Sequence, residues 1–133
     1  MKKLILDTHT LLWAIGKSSE LSKQVAEQIT NSENDVYVSA VSLWEIALKH
    51  YLGKLTLGFK VADIPKYCRK MGFYLISLDP QEALDSFKLP QKENHKDLFN
   101  RMLIYQCIRN NYILISKDNK MKSYSVDGLN YMW

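Results

Sequence analysis

The chain is poor in the residues that build disulfide or zinc scaffolds. Only two of its 133 residues are cysteines, Cys68 and Cys107, and neither belongs to a Cys-x-x-Cys pair. Closely spaced cysteines are the usual mark of structural zinc, so a zinc site is not predicted. Two isolated thiols also argue against a disulfide-stapled secreted domain. A reducing, cytoplasmic setting is the better prediction.

Long apolar runs are missing too. No stretch approaches the ~20 apolar residues that span a bilayer, and the first apolar run stops at Asp7. Neither a transmembrane helix nor a signal peptide is therefore predicted, and no membrane partner is expected. Because the sequence shows no repeat, low-complexity tract or interdomain linker, residues 1–133 are predicted to form a single domain.

The composition that remains is that of a globular protein. Hydrophobic residues make up 47% of the chain and charged residues 24%, which is enough apolar material for a sizeable core. The net charge is +4 and the pI is near 9.0. This modest excess permits a polyanionic partner such as RNA without requiring one.

Apolar runs alternate with amphipathic segments along the chain. Strands are predicted at residues 4–6, 36–38, 73–76 and 112–115, with a further strand within 126–133. Helices are predicted at 8–15, 22–31, 39–52, 61–71, 80–87 and 97–110. This alternation is typical of an α/β fold whose mainly parallel sheet is covered by helices on both faces.

Acidic residues lie where these elements meet. Asp7 and Asp118 closely follow apolar strands, and Glu45 lies about one turn into a helix that follows a strand. In a parallel sheet these positions share the carboxyl edge, where ligands bind in open α/β sheets. Asp97 begins the helix that leads to the strand at 112–115. Four carboxylates at one edge would form a magnesium or manganese site, because hard divalent ions take oxygen ligands.

Each acid also has a purely structural interpretation. Asp7 can cap the helix that follows it, and Glu45 has the capping-box spacing with Ser42. Asp97 can be a helix acid favoured by the macrodipole, and Asp118 can be a turn residue. For any one acid alone the structural interpretation is favoured, but the joint placement of all four favours the metal site.

Three hydroxyl side chains accompany the acids. Thr8, Ser39 and Ser116 could orient ligands or waters around a bound ion. Equally, they could satisfy backbone groups at the strand ends, and Thr8 is a plausible helix N-cap.

Four segments resemble the motifs of PIN-domain toxins of the VapC type. Residues 4–13 (LILDTHTLLW) resemble the first acidic motif and residues 38–49 (VSAVSLWEIALK) the second. Residues 95–106 (HKDLFNRMLIYQ) resemble the family segment usually written HRDPFDRLLIAQ, and residues 114–118 (LISKD) resemble the last motif. The match covers nearly the whole chain in order, and the second and third segments together are quite specific.

The resemblance implies a PIN-like three-layer α/β/α sandwich with a central, mainly parallel sheet. It also implies a metal-dependent ribonuclease, the toxin of a toxin–antitoxin pair, held in check by a cognate antitoxin. We further expect a homodimer, because Trp13 and Tyr51 look exposed on helical segments and large apolar patches usually mark interfaces. Trp44, in contrast, is predicted to lie in the core.

One position departs from the family pattern. The third metal-site acid is usually the second aspartate of the family segment, and here that position is Asn100. Asparagine offers a carbonyl oxygen to a metal but no charge. Asp97 lies three residues earlier, about one helical turn away, and could face the same cleft. Both remain candidate ligands beside Asp7, Glu45 and Asp118. The sequence leaves open an active nuclease or a weakened module that binds RNA or antitoxin without efficient cleavage.

Basic residues near the motifs could contact RNA phosphates. The candidates are Lys49, Lys96, Arg101 and Lys117. Arg101 follows Asn100 on the same predicted helix, and an ion pair within the acid cluster is an equal alternative for it. His9 and His95 are interpreted as surface residues and not as catalytic groups.

Overall fold

Five strands form one parallel sheet in the computed structural model, which describes residues 1–92 and 97–133. They are β1 (Lys3–Leu6), β2 (Asp35–Ser39), β3 (Tyr74–Ile76), β4 (Ile113–Ile115) and β5 (Asn130–Met132). The order across the sheet is β3-β2-β1-β4-β5, and every neighbouring pair is parallel. The predicted parallel sheet is confirmed.

Helices connect the strands, as parallel pairing requires. They are α1 (Thr8–Gly16), α2 (Lys23–Thr30), α3 (Ala40–Tyr51), α4 (Ile64–Lys70), α5 (Pro80–Asp85) and α6 (Leu98–Asn110). Short 3₁₀ turns at Ser18–Glu20, Val61–Asp63 and Ser86–Lys88 and a longer one at Asn119–Asp127 complete these connections.

Two predicted elements begin several residues later than expected. The helix predicted at 61–71 becomes α-helical only at Ile64, with Pro65 in its first turn, where a missing N–H costs nothing. The strand predicted within 126–133 begins only at Asn130, because the 3₁₀ helix continues to Asp127. Gly128 ends that helix with φ of 100°, a left-handed conformation that favours glycine.

The core is divided between the two faces of the sheet. Along β1, Leu4 and Leu6 pack into one apolar cluster and Ile5 packs into the other. The first cluster includes buried residues of α1, α2 and α4, and the second includes buried residues of α6. Because successive side chains of a strand point to opposite faces, this division produces the predicted α/β/α sandwich.

The register brings the strand ends to one edge. Leu6 pairs with Ile115 and Ile5 pairs with Tyr37, so β1, β2 and β4 all end at similar heights. Asp7 continues this pairing, since its N–H donates to the carbonyl of Ile115 at 3.1 Å. Within the described ranges, no helix has both the length and the apolar character that crossing a bilayer requires.

Candidate active site at the carboxyl edge of the sheet

Asp7 is fixed in place by the junction between β1 and α1. Its Oδ1 accepts the backbone N–H of Thr10 at 2.8 Å, so Asp7 is the N-cap of α1. The prediction that Thr8 is the cap is wrong, because Thr8 already has helical backbone and its hydroxyl bonds elsewhere. Asp7 is only 5% exposed. Capping occupies one carboxylate oxygen, so it does not by itself prevent Oδ2 from meeting a ligand.

Glu45 is held between two helices. The hydroxyl of Thr8 donates to its Oε1 at 2.5 Å, and Nζ of Lys49 lies 2.5 Å from its Oε2. Glu45 is 4% exposed, so both of its oxygens are engaged inside the protein. Thr8 thus contacts one of the predicted acids, and its supporting role at an ion site stays a prediction. Lys49 pairs with the same acid, and its contact with RNA phosphate stays a prediction.

The capping box predicted for Ser42 and Glu45 is wrong. Helix α3 begins at Ala40, and Ser39 is its N-cap, accepting the N–H of Val41 at 3.1 Å. Ser42 lies inside the helix, and its Oγ is buried without a hydrogen-bond partner in the described part of the chain. A capping box does form at α5, where Asp79 and Glu82 exchange side-chain bonds with each other's backbone.

Ser39 also connects the end of β2 to α6. Its hydroxyl donates to Oε1 of Gln106 at 2.7 Å, and Nε2 of Gln106 donates to the carbonyl of Ser77 at 3.0 Å. All of Ser39 and nearly all of Gln106 is buried. Gln106 belongs to the third motif segment, but its bridging role depends on contacts across the fold that the sequence does not display.

Asp118 is positioned by the turn after β4. Its Oδ1 accepts the N–H of Lys120 at 2.9 Å and caps the Asn119–Asp127 helix. Ser116 supports this turn, because its Oγ accepts the N–H of Asp118 at 3.2 Å. Asp118 therefore resembles Asp7: each follows a buried strand and caps the next helix with one oxygen.

Asp97 and Asn100 occupy the start of α6. Asp97 is the N-cap, and its Oδ1 accepts the N–H groups of Phe99 at 2.9 Å and Asn100 at 3.2 Å. Nδ2 of Asn100 lies 3.5 Å from Oδ2 of Asp97. This bond orients the amide of Asn100 through the acid that precedes it by one turn.

A pocket of about 280 Å³ brings the distant segments together. Its lining residues are Asp7, His9, Trp13, Asn100, Lys117 and Asp118. Two of the four predicted acids thus share one pocket with the asparagine that replaces the family's third acid. Of the described residues, Glu45 and Asp97 are not part of this lining. His9 and Trp13 are additions that the sequence did not single out for the site; both lie on α1, within two turns of Asp7.

The donor set of this pocket fits a hard divalent cation, though with less charge than predicted. Within residues 1–92 and 97–133, no group of three or more His, Cys, Asp or Glu side chains is placed to hold a metal, so the predicted cluster of four carboxylates does not form there. Asp7, Asp118 and Asn100 offer oxygen only, which is the chemistry that magnesium and manganese select. The set carries two formal negative charges, because Asn100 contributes a neutral amide.

The remaining basic residues that were predicted to contact RNA differ in position: Lys117 lines the pocket, whereas Arg101 binds backbone carbonyls. Nζ of Lys117 lies 5.8 Å from the ring centroid of Trp13, beside the pocket. The guanidinium of Arg101 instead donates to the carbonyls of Leu89 at 2.7 Å and Pro90 at 3.2 Å, which attaches these two residues to α6. Lys96, together with His95, lies outside the described residues.

Burial and the charge of Asp7 affect a neighbouring thiol. Cys107 lies fully within the core, and this burial raises its pKa well above the ordinary thiol value. The negative charge of Asp7 raises the pKa of Cys107 further, because a second anion nearby is unfavourable. The thiol therefore stays protonated near neutral pH.

An apolar groove lies between α3 and α6. Trp44 is 58% exposed and meets Phe99 edge-on, with the ring centroids 5.0 Å apart. The groove has a volume of about 340 Å³, and Leu48, Phe87, Leu98 and Met102 complete its apolar lining. The prediction that Trp44 lies in the core is wrong, because the buried stripe of α3 runs through other positions, namely Val41, Ser42, Glu45 and Ile46.

Comparisons with known proteins agree with this architecture. The family model of the PIN domain matches residues 4–126. VapBC2 from Rickettsia felis, solved bound to a promoter DNA fragment, has a chain with a TM-score of 0.69 and 17% identity, covering 98% of this chain and 97% of its own. A chain of VapBC-1 from nontypeable Haemophilus influenzae has a TM-score of 0.70 and 15% identity, and the match covers 98% of this chain and 96% of that one. A chain of DNA-bound VapBC from Salmonella typhimurium has a TM-score of 0.64 and 16% identity, and the match covers 99% of this chain and 98% of that one. No curated protein matches the sequence.

Proposed function

The chain belongs to the PIN domain family, and we propose that it is a divalent-metal-dependent endoribonuclease, the toxin of a toxin–antitoxin pair. The observation that carries this proposal is the shared pocket of Asp7, Asn100 and Asp118 at the carboxyl edge of the sheet. Three segments that are far apart in sequence meet there, and each contributes one side chain whose oxygen can bind a metal ion. Such a site suits phosphodiester hydrolysis, which needs a positive centre beside the scissile phosphate.

Asp7 and Asp118 would hold a magnesium or manganese ion, with the carbonyl oxygen of Asn100 as a neutral third donor. When bound, such an ion lowers the pKa of a coordinated water and neutralises charge that develops on the phosphate. Capping fixes both aspartates through Oδ1, which presents Oδ2 from a rigid backbone. Lys117 lies at the same pocket and would attract an RNA phosphate toward the acids.

Glu45 and Asp97 act on this pocket from its surroundings in our proposal. The Thr8–Glu45 bond joins α3 to the first residue of the helix that Asp7 caps. The contact between Asp97 and Asn100 orients the amide donor. Direct ligation of the ion by either acid remains a prediction, because neither side chain lines the pocket.

A second candidate function is a weakened PIN module that binds RNA or antitoxin without efficient cleavage. The observation in its favour is the small number of free negative charges: in the pocket Asn100 replaces an acid, and outside the pocket Glu45 is already paired with Lys49. A site with fewer negative charges attracts a divalent ion less strongly.

The partners in this proposal are RNA, a small cognate antitoxin and a second copy of the chain. The neighbours in structure are VapBC assemblies, and the groove of Trp44, Leu48 and Leu98 is a suitable surface for an apolar partner segment. We place the protein in the cytoplasm, because both cysteines are free and buried, as a reducing compartment permits.

Cleavage of a structured RNA with and without manganese tests the proposal. We expect fragments with manganese, none with chelator, and none from Asp7→Ala protein in either condition. RNA that is bound but uncut across a manganese titration would support the weakened module instead. Equal cleavage by parent and Asp7→Ala protein would show that this pocket is not the catalytic site.

A further inference from the structure

A second pocket, rich in lysines and aromatic rings, adjoins the acid-lined pocket. Its volume is about 560 Å³, and four of its lining residues define what we call the aromatic–lysine strip: Lys117, Lys122, Tyr131 and Trp133. Lys117 and Asp118 line both pockets. The strip therefore starts at the proposed catalytic acid Asp118 and extends away from it.

The aromatic part of the strip continues into the acid-lined pocket. Tyr131 lies on the edge strand β5, and Trp133, which is half-buried, directly follows that strand; both side chains line this pocket. The ring of Trp133 meets Trp13 edge-on, with centroids 5.7 Å apart. Trp13 in turn lines the acid pocket beside Asp7. A path of aromatic surface thus runs from β5 to the acids.

The charged part of the strip is positive and available. Lys117, Lys120 and Lys122 are all exposed. In residues 1–92 and 97–133, none of the three forms an ion pair, whereas Asp127 on the same 3₁₀ helix is paired with Lys92. Lys117 also lies over the ring of Trp13, a contact that leaves its charge in place. Three ammonium groups within six positions, against the single carboxylate of Asp118, attract a polyanion.

We propose that the aromatic–lysine strip binds single-stranded RNA next to the cleavage pocket, with bases stacked on Tyr131 and Trp133 and phosphates on Lys117 and Lys122. This inference rests on the proposed function, since it assigns a substrate-binding surface to the same site. Exposed rings beside lysines are the combination that binds single strands, because each unpaired base offers a face for stacking. A duplex keeps its bases stacked on one another and would engage the lysines alone.

Binding of a single-stranded probe in the presence of chelator tests the strip without requiring catalysis, because the proposed cleavage needs a divalent ion. The probe is a fluorescein-labelled oligouridylate of about twelve nucleotides, titrated with the full chain and followed by anisotropy. We expect Tyr131→Ala to weaken binding at least about fivefold through lost stacking. Lys122→Ala should lower the slope of log affinity against log salt by about 0.7, the value for one phosphate contact on a single strand.

Matched controls lie on the opposite side of the molecule. Tyr74 is an exposed tyrosine on β3, the other edge of the sheet, and Lys66 is an exposed lysine on α4. We expect Tyr74→Ala and Lys66→Ala to bind the probe as the parent does. Trp133 also packs against the core, so the binding of Trp133→Leu protein is interpreted only if a thermal melt shows that it is folded. If Trp133→Leu unfolds, the binding of Tyr131→Ala alone tests the proposal.

Any of three outcomes would contradict the proposal that the strip binds single-stranded RNA. They are no binding of the probe by the parent, equal weakening by the control variants, and equal affinity for a duplex of the same length. Displacement of the probe by oligoglutamate as effectively as by unlabelled RNA would show a general anion surface and would also overturn it. Strip-dependent binding combined with a failure to cut any RNA would instead leave the strip in place and contradict the proposed nuclease function.

Discussion

Nζ of Lys49 lies 2.5 Å from Oε2 of Glu45, one helical turn away on α3. Glu45 is the acid that the second motif would supply to a metal, and here an ammonium group of the same chain already faces it. The side chain of Glu45 is 5% exposed and that of Lys49 is 39% exposed. The pair therefore compensates a buried carboxylate when no ion is near.

Removing Lys49 should expose the link between this pair and metal binding. Without metal, we expect Lys49→Ala to lower the free energy of unfolding by about 1–2 kcal/mol, because the buried carboxylate loses its partner. The loss stays below that of a fully buried pair, since Lys49 is partly solvated. Manganese should then raise the melting temperature of the variant more than that of the parent, because a free Glu45 attracts the ion.

The matched control for Lys49→Ala is Lys17→Ala. Lys17 pairs with Glu20 on the surface at 3.7 Å, and exposed pairs contribute little to stability. Melting curves with chelator and with manganese check both variants. Equal manganese shifts in the parent and Lys49→Ala would show that Glu45 does not act on the ion site.

Conservative replacement of the acids should separate charge from structure. We expect Asp7→Asn and Glu45→Gln each to reduce manganese-dependent RNA cleavage at least about 100-fold, because the site loses ionic attraction. The fold should persist, since asparagine also caps a helix and can accept the N–H of Thr10. Asp35→Asn, at the opposite end of β2, is the control. An Asp7→Asn or Glu45→Gln protein that cuts RNA at the parent rate would refute the assignment.

Restoring the family residue at position 100 should strengthen the site. Asn100 shares the pocket with Asp7 and Asp118, so Asn100→Asp adds a charge where the ion would bind. We expect manganese affinity to rise roughly tenfold. The metal-free protein should become less stable, because the new carboxylate repels its neighbours. Calorimetric titration and a thermal melt with chelator measure the two effects together.

Asp97 provides the comparison for Asn100. Asp97→Ala removes the cap of α6 and should cost about 1 kcal/mol of stability. Manganese affinity should fall only slightly, because Asn100 loses the contact that orients its amide but stays in the pocket. If affinity instead falls strongly with Asp97→Ala and is unchanged with Asn100→Asp, residue 100 does not face the ion, and Asp97 is the third acid.

The buried thiol of Cys107 should make stability fall at alkaline pH. Its folded-state pKa is raised by burial and by Asp7, so the native thiol keeps its proton when the unfolded thiol, with a pKa of about 8.5, loses it. Stability linked to this group is complete below about pH 8.5 and decreases above it, by up to about 1.4 kcal/mol per pH unit. Urea denaturation of parent and Cys107→Ala protein from neutral to alkaline pH should show a shallower decline in the variant. A smaller decline should remain, because burial also raises the pKa of Cys68. Identical declines would contradict the prediction.

The apolar groove should control association. We expect the chain to self-associate at micromolar concentration and to bind an antitoxin. Leu98→Glu should weaken one or both contacts at least about tenfold, because association would then bury a charge. Val126→Glu alters an exposed apolar residue elsewhere and should have no effect. Light scattering measures self-association, and co-purification with the protein encoded beside the gene measures antitoxin binding. A monomeric parent with no such partner would count against the prediction.

The sequence alone determined the layered fold and the position of the strand-end acids. Apolar runs specify buried strands locally, and their alternation with helices requires parallel pairing. Asp7 and Asp118 closely follow such strands, so their arrival at one edge could be predicted before any tertiary contact was known. The motif segments likewise indicated the family, which the match over residues 4–126 confirmed.

Only the tertiary structure decided which side chains meet. Asn100 lines the acid pocket and Asp97 does not, although one turn separates them, because the packing of α6 sets the direction of each side chain. The bond between Thr8 and Glu45 and the contact between Trp13 and Trp133 join residues from different elements. Local periodicity specifies backbone conformation and burial, whereas partners of this kind depend on how whole elements pack, which no short stretch of sequence encodes.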